Sequence, residues 1–162
     1  MFSVDQVFFA VTFIAALGCG LVAGIFFAFS AFVMKALSRL PADQGIAAMQ
    51  SINVAVLNPW FMTAFFGTAA LCLAALVVSV NRWPDAAAIC LITGSALYLI
   101  GTLAVTIVCN VPRNNSLAAV SATDPKSGDT WAGYVAEWTA WNHVRTIASL
   151  AAAASFSIAL AL

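Results

Sequence analysis

From Val7 to Met34 the chain runs without a single charged side chain. A segment that long and that apolar has few places to fold. Hydrocarbon about 30 Å thick is crossed by roughly 20 apolar residues wound as a helix, which satisfies every backbone N–H and C=O internally. Three further stretches meet the same requirement: Pro59 to Val80, Ala86 to about Cys109, and a last run from about His143 to Leu162. The 162 residues are 64% hydrophobic and only 7% charged, against about a quarter charged in soluble domains. The expected fold class is therefore all-α: a four-transmembrane-helix bundle with both termini on the same side. It forms one domain over residues 1–162, with spans about 7–34, 59–80, 86–109 and 143–162. The first run carries Asp5, has no basic leader and is about twice as long as a signal-peptide core, so it reads as a span.

Four spans place both termini on one side, here side B, and the 35–58 and 110–142 connections on side A. Side A holds Lys35, Arg39, Arg113 and Lys126, with Arg145 at its border; side B holds Arg82 and the amino terminus. The positive-inside rule then makes side A cytoplasmic and the termini external, as in a bacterial inner membrane. Asn58-Pro59 reads as an N-cap followed by proline at the first helical position. Arg82-Trp83-Pro84-Asp85 reads as a short turn that pairs spans two and three. The connection from Val111 to about Thr130 is long, and is punctuated by Pro112, Asp124-Pro125 and Ser127-Gly128.

In the first span Ala16, Gly20, Gly24 and Ala28 recur at every fourth position. Such a ridge admits a close backbone, either inside the bundle or in a homo-oligomer through Gly20 and Gly24. In the third, Tyr98, Thr102, Thr106 and Asn110 have the same spacing and form a slanting polar stripe. Polar groups in hydrocarbon face partners or a cavity. This stripe predicts a narrow cavity opening towards side A, where Asn53, Asn58, Asn110, Asn114 and Asn142 also gather.

Several chemistries are excluded or disfavoured. Net charge is zero without a basic cluster, which argues against nucleic acid as a partner. Cys19, Cys72, Cys90 and Cys109 stand singly in apolar runs and read as free thiols. One histidine and scattered carboxylates do not make a zinc or iron site, and no phosphate loop or dinucleotide glycine motif is present. No cofactor is therefore expected; the partners expected are membrane lipid and a small lipophilic aromatic molecule.

What remains is the stretch EWTAWNHVRT, Glu137 to Thr146, with the lone histidine, His143, and Arg145. An imidazole titrates near neutrality and can take a proton. A guanidinium and amide donors can stabilise the oxyanion so formed, and Trp138 and Trp141 offer flat apolar surfaces. The inventory suits proton abstraction from a planar, lipophilic acid. Helical phase sets a condition. On a continuous helix Trp138, Trp141, Asn142, Arg145 and Ser149 share an arc of about 100°, while His143 lies roughly 160° from Arg145. Both serve one pocket only if the segment breaks near Asn142 or the span is surrounded.

GLVAGIFFAFSAFVMKAL, AAMQSINVAVLNPWFM, VTIVCNVPRNN and WTAWNHVRT, in that order, resemble the anthrone oxygenase-like membrane family, long catalogued as a domain of unknown function. The resemblance covers nearly the whole chain. It implies a four-span helical protein related to fungal enzymes that oxidise anthrones to anthraquinones without metal or flavin, with O2 as co-substrate. Carried over by motif, His143 is the candidate base. Arg145, Asn142, Asn110 and Asn114 are candidate oxyanion or carbonyl contacts, and Asn53, Asn58, Phe61 and Met62 candidate pocket wall. Tyr98, Thr106, Trp138 and Trp141 complete the candidate substrate site from the residue pattern. The competing reading is a non-catalytic module that binds a quinone, lipid or partner protein in the same side-A cleft.

Overall fold

The computed structural model describes residues 3–121 and 127–162; Asp124-Pro125 and Lys126, named above, lie outside them. Among the described residues the chain is helical throughout, with no strand. Four helices are long and apolar enough to cross a membrane: α1 (Val4–Leu37), α3 (Pro59–Val80), α4 (Ala86–Ala118) and α5 (Ser127–Ala161). A shorter helix, α2 (Ala42–Ala55), lies between α1 and α3.

Local chemistry explains the starts. Ser3 caps α1 in a reciprocal capping box with Gln6. Asn58 Oδ1 accepts from the Phe61 amide at 3.0 Å and Pro59 opens α3, as the sequence predicts. Asp5 and Arg82 form an ion pair, and the Arg82 guanidinium lies 3.9 Å from the centre of the Phe8 ring. That contact ties the amino terminus to the α3–α4 turn on side B.

Two helices run well beyond the expected spans. α4 does not stop at Cys109 but continues through Pro112 to Ala118. The proline, which cannot donate to the preceding turn, follows directly on a π-helical stretch at Thr106–Asn110. Arg113 Nη1 donates to the Cys109 carbonyl at 2.7 Å there, giving that oxygen a side-chain donor. α5 begins at Ser127 rather than near His143, so Asn142 sits mid-helix and caps nothing. Its early half is held by Trp131, Tyr134 and Trp138. These bury one face against Met34, Ile46, Met49 and Leu117 in a second apolar core on side A, where the hydropathy of hydrocarbon no longer guides the chain.

The main core on side B packs Cys19, Val22, Phe65, Cys72, Leu91, Tyr98 and Phe156 between α1, α3, α4 and α5. Close approach there depends on Gly18 and Gly101. A Cβ at Gly18 would sit 2.2 Å from Thr68 Oγ1, and one at Gly101 2.5 Å from the Ala148 Cβ. Gly20 and Gly24 take no part: a Cβ at either meets nothing within 4 Å. The G-x-x-x-G ridge therefore faces away from the bundle.

Candidate functional site

The expected polar stripe on α4 mostly closes on itself. Tyr98 Oη donates to the Phe65 carbonyl at 2.9 Å, deep in the core. Thr102 and Ser149 hydroxyls pair at 2.8 Å, and Asn110 Nδ2 donates to the Trp138 carbonyl at 3.2 Å. These are bonds between helices, which supply partners that hydrocarbon would not; only Asn110 Oδ1 among them stays buried without one. Of the stripe, Thr106 alone reaches open space.

That space is a cavity of about 390 Å³ at the side-A end of the bundle, within the range of small-molecule sites. Phe26 and Phe29 of α1, Met49 and Asn53 of α2, Phe61, Met62 and Phe65 of α3, Thr106 and Asn114 of α4, and Trp138 and Arg145 of α5 all contribute to its wall. Helix α2 roofs it, stapled in place by Gln50 Nε2, which donates to the carbonyls of Leu117 and Val120 at the end of α4. α3 and α4 pack closely near their connecting turn and part towards side A. The rim there carries exposed Val54, Leu57, Phe66 and Ile107. Apolar side chains at a mouth suit the entry of a lipophilic molecule from the bilayer.

Both helices that frame the site depart from α geometry at its level. α1 is π-helical over Phe29–Val33, and α4 over Leu99–Ala104 and again over Thr106–Asn110. Such widened turns recur at functional sites. Beside the first, the Phe26 carbonyl accepts from Asn142 Nδ2 at 2.7 Å.

Arg145 is the centre of the arrangement, 4% exposed and facing the cavity. Its position is over-determined. Nη2 donates to Asn142 Oδ1 at 2.7 Å and Nη1 to Thr106 Oγ1 at 3.2 Å. The guanidinium carbon lies 4.2 Å from the centre of the Phe26 ring and 5.1 Å from that of Trp138. Asn142 is itself fixed, because its Nδ2 donates to both Phe26 O and Ser30 Oγ. Yet no carboxylate meets the guanidinium. The ion pairs among the described residues are Arg82 with Asp5 and Arg113 with Glu137, and Arg145 Nε is buried without any partner. A buried cation lacking a counter-charge is costly, so the cavity is electrostatically incomplete as it stands.

Asn53 and Asn114 add amide donors to the wall. Asn53 Nδ2 is buried with no partner, near the Tyr134 hydroxyl but outside hydrogen-bond geometry. Tyr134 Oη and Trp138 Nε1 both donate to Asn114 Oδ1, at 2.9 and 2.8 Å. Two donors on the oxygen leave the amide Nδ2 of Asn114 as its end for another acceptor. The cavity thus presents hydrogen-bond donors in a largely apolar wall.

The helical-phase condition set by the sequence is not met. α5 is unbroken through Asn142, and His143 is exposed on the opposite face. There it lines a separate groove with Lys35 and Thr139. His143 and Arg145 do not share the cavity. Asn53, Phe61, Met62, Thr106, Asn114, Trp138 and Arg145 do come together on its wall; Asn142 stands behind Arg145. Asn58, Tyr98, Asn110 and Trp141 do not line it. Phe26, Phe29, Met49 and Gln50 were not among the residues the sequence singled out. The Phe26/Phe29 spacing and the apolar period of 42–55 were the available signals.

The anthrone oxygenase family model matches residues 61–155, which is 95 of 162 positions. The chain belongs to that family. No curated protein and no solved structure matches it. The family membership supports a related oxidoreductase role, and the matched residues include Arg145, Asn142, Thr106, Asn114 and Trp138 of the site.

Proposed function

We propose that this protein catalyses the O2-dependent oxidation of a planar, lipophilic phenol or anthrone-like molecule held in the side-A cavity, without a cofactor. The observation that carries the reading is the buried, unpartnered Nε of Arg145 in a largely apolar wall. An anthrone has an acidic CH2 across the central ring from a carbonyl, conjugated with it through the two flanking arenes. Loss of one proton gives an enolate whose charge rests on that oxygen. A guanidinium poised at the oxygen stabilises the anion far more than the neutral ketone, which is differential stabilisation of the kind catalysis requires.

Among the lining residues Arg145 is the one charged side chain. We therefore assign the proton to water at the mouth of the cavity, and the acidification of the substrate to Arg145. The electron-rich anion then reduces O2. Carbon–oxygen bond formation and protonation give a hydroperoxide, and loss of its remaining C–H proton with O–O cleavage releases water and leaves a second carbonyl. The balance is CH2 + O2 → C=O + H2O. Asn53 and Asn114 hold the distal oxygens, while Phe26, Phe61, Phe65 and Trp138 flank the ring. Substrate arrives through the lipid-facing gap between α3 and α4, and the site faces the cytoplasm in a bacterial inner membrane.

Oxygen uptake by the purified protein in detergent, with a simple anthrone and the buffer autoxidation rate subtracted, tests the proposal. One O2 should be consumed per quinone formed, and bound anthrone should show the absorbance of its anion at a pH where free anthrone does not. Tight binding with uptake no faster than buffer would instead identify a binding module.

A further inference from the structure

The groove that takes His143 is a second site, on the outer face of the bundle. α1 and α5 run antiparallel there, and between them lies a space of about 470 Å³. Its polar lining is uniform in character: Lys35, His143 and the hydroxyl residues Ser30, Ser38 and Thr139. No carboxylate lines it. The side chains of Lys35 and His143 enter no ion pair or hydrogen bond among the described residues, and Thr139 Oγ1 is buried with no partner. Ala31, Ala136 and Ala140 leave room between the helices.

Depth defines what such a groove can hold. His143 shares the groove with Met34, the side-A end of the uncharged run that begins at Val7, which sets it at the edge of hydrocarbon about 30 Å thick. Lys35 and Ser38 lie farther out towards side A. One turn deeper, the same two helices expose Phe27 (55%) and Ile147 (68%). A cation, an imidazole and hydroxyls thus stand at headgroup level above exposed apolar side chains.

We propose that this groove binds an anionic phospholipid of the side-A leaflet, with the phosphate between Lys35 and His143 and an acyl chain laid along Phe27 and Ile147. The Thr139 hydroxyl donates to a phosphate oxygen. The two sites are back to back: Ser30, on the groove, accepts from Asn142, which positions Arg145. Lipid occupancy is nevertheless independent of the oxidation chemistry.

Native mass spectrometry of the intact protein, released from a neutral detergent and titrated with phosphatidylglycerol or phosphatidylcholine of identical chains, tests it. Phosphatidylglycerol should bind preferentially with one tight stoichiometric site. Lys35→Ala should weaken it about fivefold, the effect of roughly one cation at an anionic headgroup. His143→Ala, which removes a ring N–H donor, should weaken it by less. Lys35→Arg should retain binding. Arg39→Ala, which removes an exposed cation that does not line the groove, should leave it unchanged. Ile147→Asn should weaken the lipid without creating a phosphate site. Equal retention of phosphatidylcholine, an equal loss in Arg39→Ala, or displacement of the lipid by millimolar inorganic phosphate would each overturn the assignment. The last result would indicate a free-phosphate site.

Discussion

The two halves of this bundle are made from the same four helices, yet they are built on different terms. Near the termini, on side B, small residues bring the backbones together and hydroxyls are spent on backbone carbonyls, within a helix or across to the next. Thr12 donates to Phe8 O, Ser95 to Cys72 O and Ser155 to Cys90 O. Among the described residues on that side, the buried side-chain polar atom left without a partner is Arg82 Nε, whose guanidinium already pairs with Asp5. On side A the helices part, α1 and α4 widen into π turns, and a buried cation is held by neutral partners. The first half spends its polar groups on packing; the second keeps a buried charge beside an open cavity. Stability should therefore reside in the first half and chemistry in the second, and substitutions should separate the two.

The largest effect is expected at Arg145. Arg145→Met keeps length and apolar contact with Phe26 and Trp138 but removes the charge. Losing one oxyanion donor in a dry site typically lowers turnover by about 10²–10³, and kcat/KM for anthrone oxidation should fall by that order. Fold stability should hold or rise, because a buried charge without a counter-charge costs more than the apolar residue that replaces it. Oxygen uptake and thermal unfolding of the same preparation give both readouts. A variant that loses activity only because it unfolds at lower temperature would break the comparison.

A matched pair of glycines gives the converse. Gly18→Ala drives a methyl to 2.2 Å from Thr68 Oγ1, with Thr68 Cβ at 3.2 Å behind it. Turning the threonine aside would break its bond to Ala64 O. Overpacking of this kind costs about 1–3 kcal/mol. Gly24→Ala meets nothing within 4 Å and should be neutral, or stabilising by up to about 1 kcal/mol through helix propensity. Both variants should retain wild-type activity per folded molecule. Destabilisation by Gly24→Ala would instead mean that its open face is covered in the membrane.

The division between the halves also explains what the sequence made legible. Hydropathy located all four spans, since a bilayer imposes composition directly, and Asn58-Pro59 marked a helix start through its own capping chemistry. Hydropathy could not see α5 beginning at Ser127 or α4 running on to Ala118. Those extensions lie beyond the apolar runs, and are held by Trp131, Tyr134 and Trp138 packing on α1 and α2. The π turns left no compositional trace, because they follow from how two helices meet around a space. Within WNHVR, helical phase already grouped Trp138, Asn142 and Arg145. Whether His143 joined them depended on one unbroken turn at Asn142, which tertiary packing decides.

The smallest effect, and the sharpest test of that turn, is expected at His143. Two residues along an α-helix rotate about 200°, which leaves His143 some 160° from Arg145. Bringing the imidazole into the cavity would require α5 to unwind near Asn142. That would release the bonds of Asn142 to Phe26 O and Ser30 Oγ, and with them the Oδ1 that holds Arg145. A general base and an anchored guanidinium are thus mutually exclusive uses of this segment. His143→Gln should accordingly leave kcat/KM within about twofold of wild type in a single detergent, since it removes no group from the cavity wall. Removal of a true general base lowers rates by about 10²–10⁴. A loss of that size, with unfolding temperature unchanged, would show that α5 breaks during turnover, and would move the proton from water to the imidazole.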